Sequence, residues 1–386
     1  MCSIRDCYTN SDNNEVKNLK IGLLITSIGN FGQKGFYNAQ EIGLGKALDR
    51  YFDAVYIYKL IPSTEPKIKE KVAGTKNTIL HMIPAKSFGI NGLIDINVLD
   101  TSIDVLVYFS DTQICVPKVY KWAKVNHVQF YPYIGVLESH STSSWKKRII
   151  DALFIRNIKI YQKCRCFVKT PAVEQAIRRL GVEQVTVTPV GLDLSLMHQG
   201  YEAISKNDLK QKYGFQQLDK VLIFIGRMIE EKQPLRMIEL FRQIYAADGS
   251  YRLLMVGQGE LKPAVERAIR EAGLESVVTQ IEKIPNSDIW ELYRVADCFV
   301  NLNQQEIFGM AILEAMYYEC KVVAWKAPGP NLIIKDEISG FLVDTNEQLC
   351  DRVINAQYDL KNGHKRVLEN FTWDNIASYI YKVVKC

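Results

Sequence analysis

A chain of 386 residues with 47% hydrophobic and 24% charged residues is longer than one hydrophobic core usually supports, so two domains with a cleft between them are expected. No uninterrupted apolar run approaches the roughly 18 residues needed to cross a bilayer, which restricts any membrane role to a peripheral one. The net charge of +5 hides an asymmetry: residues 1–190 hold 25 Lys and Arg against 16 Asp and Glu, and the remainder is net −4.

The basic excess is concentrated between Pro117 and Arg179, where 13 basic residues face only Glu138, Asp151 and Glu174. Such a patch suits anionic lipid or a diphosphate-bearing acceptor. It lacks the aromatic interleaving and the motifs of a nucleic-acid binder, so no nucleic-acid partner is expected. The first twenty residues carry Asp6, Asp12 and Glu15 among Ser and Asn, without the apolar core of a secretory signal. Nine scattered cysteines include no C-x-x-C pair, and nothing accompanies Cys164 and Cys166 to complete a zinc site. Reduced thiols in a cytoplasmic protein are the expectation.

In chain order, short apolar β-branched runs at 21–26, 54–58, 78–81, 105–109, 127–131, 166–169 and 185–188 alternate with helical patterns, the first of them from Ala39 onward. The pattern then restarts with strands at 221–225, 251–256, 277–281, 298–302, 322–325 and 340–343. Helical periodicity fills 234–245, 261–272, 288–295 and 310–318 between them. Alternation of this kind predicts an α/β protein of two doubly wound parallel sheets. The expected domains are 1–190 and 191–370, with an amphipathic helix at 371–386 returning to the first. Ligands of such sheets sit beyond the carboxyl ends of the strands, which directs attention to the loops there.

After the strand at 221–225 come Gly226, Arg227 and then Lys232, two cations placed where a diphosphate could lie. Arg supplies a planar fork for two phosphate oxygens, Lys a compact charge. The turn Gly257-Gln258-Gly259 follows the next strand, where glycine permits close backbone approach to a ligand. The strand at 298–302 leads into a loop with Glu306, Phe308 and Gly309 and a helix starting at Met310. The free amides of that first helical turn form an anion site. Glu314 lies about 6 Å further along the helix axis. The two carboxylates therefore bracket the phosphate position, each able to accept hydrogen bonds from sugar or ribose hydroxyls.

These glutamates eight apart, with Gly226-Arg227 and Lys232, resemble the signature of the retaining family 4 glycosyltransferases (glycosyl transferases group 1). Residues 187–193, 256–260, 293–302, 324–330 and 340–343 fit the same pattern in order. The resemblance implies the GT-B fold, two Rossmann-like domains facing a central cleft. It implies Glu306, Arg227 and Lys232 as catalytic residues, and donor binding by Glu314, Gly309, Phe308, Met310 and Gly257. Gly32 and Gly35 resemble the glycine-rich donor loop of the first domain. Where many members carry a first-domain histidine, this chain reads on from Tyr131 to Glu138 and His140, the candidates for an acceptor or catalytic role.

The implied reaction moves a hexose-type sugar from a nucleoside diphosphate, UDP favoured over GDP, with retention of configuration. The acceptor would be a hydroxyl of a glycan or polyprenyl-linked substrate in cell-surface polysaccharide or glycoconjugate synthesis. No Asp-x-Asp motif stands at a strand end, so neither metal nor cofactor is expected. Residues 145–161 combine Trp145, Ile149, Leu153, Phe154 and Ile158 with Lys146, Lys147, Arg148, Arg156 and Lys159, the composition of a helix lying on an anionic leaflet at the inner face of the membrane. A core helix with a basic wet face reads the same way. The alternatives are a GT-B-like sugar-nucleotide epimerase and a catalytically silent donor-binding partner of another transferase.

Overall fold

A computed structural model describes residues 18–28, 40–111, 113–136 and 144–386. They divide into two compact units: the described residues up to Gly191 together with Trp373–Cys386, and Leu192–Thr372.

The first unit begins β1 (Lys20–Ile25), α1 (Gln40–Leu48), β2 (Ala54–Pro62), β3 (Ile68–Lys71), β4 (Thr78–Ala85), β5 (Ser87–Phe88) and β6 (Asn91–Gly92). It continues β7 (Val105–Phe109), α2 (Val116–Val125), β8 (Gln129–Ile134), α3 (Ser144–Tyr161), β9 (Cys166–Val168), α4 (Pro171–Arg179) and β10 (Val185–Val187). The main sheet runs β10-β9-β8-β7-β1-β2-β4-β3, parallel except for β3. β1 and β7 are apolar nearly throughout and buried, as strands covered on both faces must be. β3 is the exposed edge, and its Lys69, Glu70 and Lys71 discourage pairing with another chain.

β8 starts two residues later than the sequence pattern indicates and runs on through Pro132. Asn126 closes α2 and His127 adopts φ 56°, a left-handed turn that a strand cannot contain. The proline is tolerated because β9 pairs with β8 only from Tyr133 onward.

At its described apolar residues α3 follows the second reading of 145–161, a core helix with a basic wet face. Phe154 and Ile158 belong to the core of the first unit, packed with residues such as Tyr161 and Val116. The described charged side chains Arg148, Arg156 and Lys159 remain exposed. The side chains of Trp145, Lys146, Lys147 and Ile149 lie outside the described residues. Among those described, no helix is long and apolar enough to cross a membrane.

The second unit is α5 (Lys206–Lys212), β11 (Lys220–Ile225), α6 (Pro234–Ala247), β12 (Tyr251–Val256), α7 (Lys262–Glu271), β13 (Val278–Ile281) and α8 (Ile289–Val295). β14 (Cys298–Asn301), α9 (Met310–Tyr317), β15 (Lys321–Trp325), α10 (Pro328–Ile333), β16 (Phe341–Val343), α11 (Asn346–Ile354) and α12 (Leu360–Asn370) follow. Its sheet is all parallel in the order β13-β12-β11-β14-β15-β16. The order reverses between β11 and β14, the kind of switch point where ligands of such sheets bind. After this unit α13 (Trp373–Lys385) packs on α1 of the first, with Tyr51 and Phe52 against Tyr381.

Candidate active site

The loop after β11 leaves the sheet through Gly226 and Arg227, then turns at the buried Met228. A short 3-10 turn, Glu230–Lys232, and a left-handed Gln233 precede Pro234, the first residue of α6. Lys232 therefore stands before the helix rather than on its first turn. The Arg227 side chain is exposed and makes no hydrogen bond or ion pair among the described residues.

β14 is the neighbour of β11, so its loop meets this one. Lys232 Nζ lies 2.6 Å from Glu306 Oε2. The same oxygen accepts from Asn301 Nδ2 and from Asn303 Nδ2, each at 3.3 Å. Glu306 Oε1 accepts nothing among the described residues, and the side chain is only 15% exposed. One carboxylate oxygen is thus anchored and the other is available. The Glu306 carbonyl is fixed as well, accepting from Gly329 N at 2.9 Å. At Gly329 any Cβ would fall 2.0 Å from the Phe308 carbonyl oxygen, so only glycine allows this approach.

α9 starts at Gly309, φ 102°, with no side-chain cap. The amides of Met310 and Ala311 find no acceptor among the described residues, which leaves the positive end of the helix open beside Glu306. Met310 is half-buried. The Phe308 ring packs edge-on against Phe371 and is buried, so only its backbone is available to a ligand.

Glu314 keeps partial contact with solvent but sits deep enough for desolvation to push its carboxyl up to about 7, against the stabilising bond from Tyr293 Oη at 2.8 Å. Between about 4.5 and 7 the unfolded chain gives up this proton while the folded one keeps it. The native state then binds more protons, so stability falls as pH rises through that window. Glu314→Gln should abolish this slope. The variant is expected to gain on the order of 1–2 kcal/mol on the wild type between pH 4.5 and 8 in denaturant melts, discounted for the solvent contact. A pH-independent difference would refute it.

At Gly257 the structure adds a constraint of its own. Its φ of 140° brings it so close to the β11 loop that a Cβ would lie 1.9 Å from the Gly226 carbonyl oxygen. The glycine is required by that loop. Gly32, Gly35, Glu138 and His140 lie outside the described residues. Asn301, Asn303, Tyr293 and Gly329 were not singled out from the sequence. Asn301 and Asn303 carried one available signal, two polar residues at the end of an otherwise apolar strand.

The fold is GT-B. A sucrose-phosphate synthase from Thermosynechococcus elongatus superposes with TM-score 0.72 over 95% of this chain and 98% of its own, at 18% identity. The HepE protein of Anabaena, in complex with UDP and glucose, gives 0.68 over 95% and 99%, at 15% identity. Residues 205–370 match the family described as Glycosyl transferases group 1. An uncharacterized glycosyltransferase of Methanocaldococcus jannaschii is 24% identical over 68% of this chain and 71% of its own. An alpha-monoglucosyldiacylglycerol synthase of Acholeplasma laidlawii is 22% identical over 45% of this chain, which spans 44% of that protein. Residues 205–370 are thus similar to a Glycosyl transferases group 1 domain, and the chain shares the GT-B fold of these solved structures.

Proposed function

We propose that the protein is a retaining, metal-independent hexosyltransferase that uses a nucleoside diphosphate sugar, UDP foremost, and a glycan or polyprenyl-linked hydroxyl. The observation that carries this reading is the Lys232–Glu306 pair at the strand-order reversal, with Glu306 Oε1 unoccupied beside the open amides of α9. A diphosphate there would meet Arg227, Lys232 and the helix terminus, which together offset the charge that develops on it without a metal ion. Glu306 would accept from a sugar hydroxyl and Glu314 from the ribose. The acceptor oxygen bonds the anomeric carbon on the face the phosphate oxygen leaves, and the departing phosphate takes the hydroxyl proton. No protein nucleophile is needed.

In this reading the unit Leu192–Thr372 binds the donor and the other unit the acceptor. The UDP and glucose bound to HepE, and the lipid in the name of the Acholeplasma relative, support a uridine donor and a lipid-borne acceptor. The exposed Arg148, Arg156 and Lys159 would meet an anionic leaflet from the cytoplasmic side. The test is a melting-temperature screen of nucleoside diphosphates and their sugars, followed by transfer assays with EDTA and sedimentation with vesicles. UDP should raise the melting temperature, transfer should survive chelation, and anionic but not neutral vesicles should pull the protein down. Turnover that collapses on chelation and returns with a divalent ion would overturn the metal-free reading.

A further inference from the structure

Asn303 is 2% exposed two residues beyond the end of β14, and its amide group joins both switch-point loops. Its Nδ2 donates to Glu306 Oε2 at 3.3 Å and to Glu231 Oε1, in the turn that carries Lys232, at 3.2 Å. Its Oδ1 accepts from Gln305 N at 2.9 Å, and its own N–H donates to Asn301 Oδ1 at 2.9 Å. The side chain therefore has two separable parts: an acceptor that shapes its own loop, and a donor that grips two carboxylates.

We infer that Asn303 is a positioning residue for Glu306, an inference that rests on the function proposed above. When phosphate draws the Lys232 ammonium, Glu306 loses its charged partner. The neutral Nδ2 donors of Asn303 and Asn301 do not follow the phosphate, because both side chains are buried and held from their other ends. They keep Oε2 in place and leave Oε1 turned to the sugar. Through Glu231, Asn303 also keeps the cation-bearing turn beside β14 during that exchange. A lysine could not serve here, since it would compete for the phosphate, and a carboxylate would repel both partners.

Asn303→Asp keeps Oδ1 for Gln305 N, removes the donor and sets a second carboxylate oxygen against Glu306 and Glu231. The expected result is a fall in kcat of about tenfold to a hundredfold, the loss of a hydrogen bond to a charged group, with donor KM within about threefold. Asn303→Asp with wild-type kcat, and Asn303→Ala without it, would show that the residue merely shapes its loop and would overturn the inference. A readout independent of turnover keeps this apart from the functional reading. In protein labelled with 15N-asparagine, the Asn303 side-chain amide, identified by its loss in Asn303→Asp, should shift on Glu306→Gln because its acceptor changes from charged to neutral. An unmoved resonance overturns the grip on Glu306 even in a protein that transfers sugar. A shifted one in a protein that transfers nothing supports the grip and condemns the proposed reaction instead.

Discussion

Glu306→Gln is expected to lower turnover by about 10²- to 10³-fold, the range seen when one group that stabilises a transition state is removed. The substitution keeps the shape of the side chain and its two asparagine contacts. With the amide oxygen held by those asparagines, the NH2 takes the place of Oε1, so a sugar hydroxyl meets a neutral donor instead of a charged acceptor. The substitution also leaves Lys232 without its 2.6 Å partner, so the ammonium settles elsewhere and the diphosphate meets a less ordered cation. Stability should change by about 1 kcal/mol or less, because the ion pair retains solvent contact and such pairs contribute little. Steady-state kinetics with a melting curve on the same sample decide the matter: a purified variant with near-normal kcat removes Glu306 from the mechanism, and one that is inactive because it is unfolded says nothing of catalysis.

Arg227→Ala should lower kcat/KM by about a hundredfold and weaken UDP binding about tenfold, as loss of a charge-assisted bond to phosphate implies. No change in melting temperature should accompany it, since the guanidinium is exposed and without a partner among the described residues. A residue that contributes nothing to the fold and much to the ligand is a sharp test of the site. Arg227→Lys should restore only part of the loss, because an ammonium cannot span two phosphate oxygens. Lys232→Ala should weaken UDP similarly and also leave Glu306 held by Asn301 and Asn303 alone. Calorimetric titration with UDP, compared at low and high salt, measures both; unchanged affinity in Arg227→Ala would move the phosphate away from this loop.

The parallel strands were legible because a strand covered on both faces must be largely apolar, and β11, β12, β14 and β15 are, but for Lys220, Arg252, Asn301 and Lys321. Arg227, Lys232, Glu306 and Glu314 could be selected because the carboxyl ends of such strands are where ligands bind, and the structure brings Lys232 and Glu306 into contact. β3 was not legible: Ile68-Lys-Glu-Lys71 has three exposed residues of four and carries no strand period. The hairpin of β5 and β6 is two residues on each side, too short for any pattern. Spacing alone also cannot show that a glycine admits a neighbouring loop, as Gly257 does. The shell around Glu306 escaped because Asn301 and Asn303 matter through their partners, and partners are a property of three dimensions.

The return of α13 has a consequence for biogenesis. Its Trp373, Ile376 and Ile380 are buried in the first unit, yet all of Leu192–Thr372 is translated before them. At ordinary elongation rates the nascent first unit waits roughly ten to forty seconds with that seat empty. The uninterrupted second unit can mature on the ribosome meanwhile, and the unit translated first finishes last.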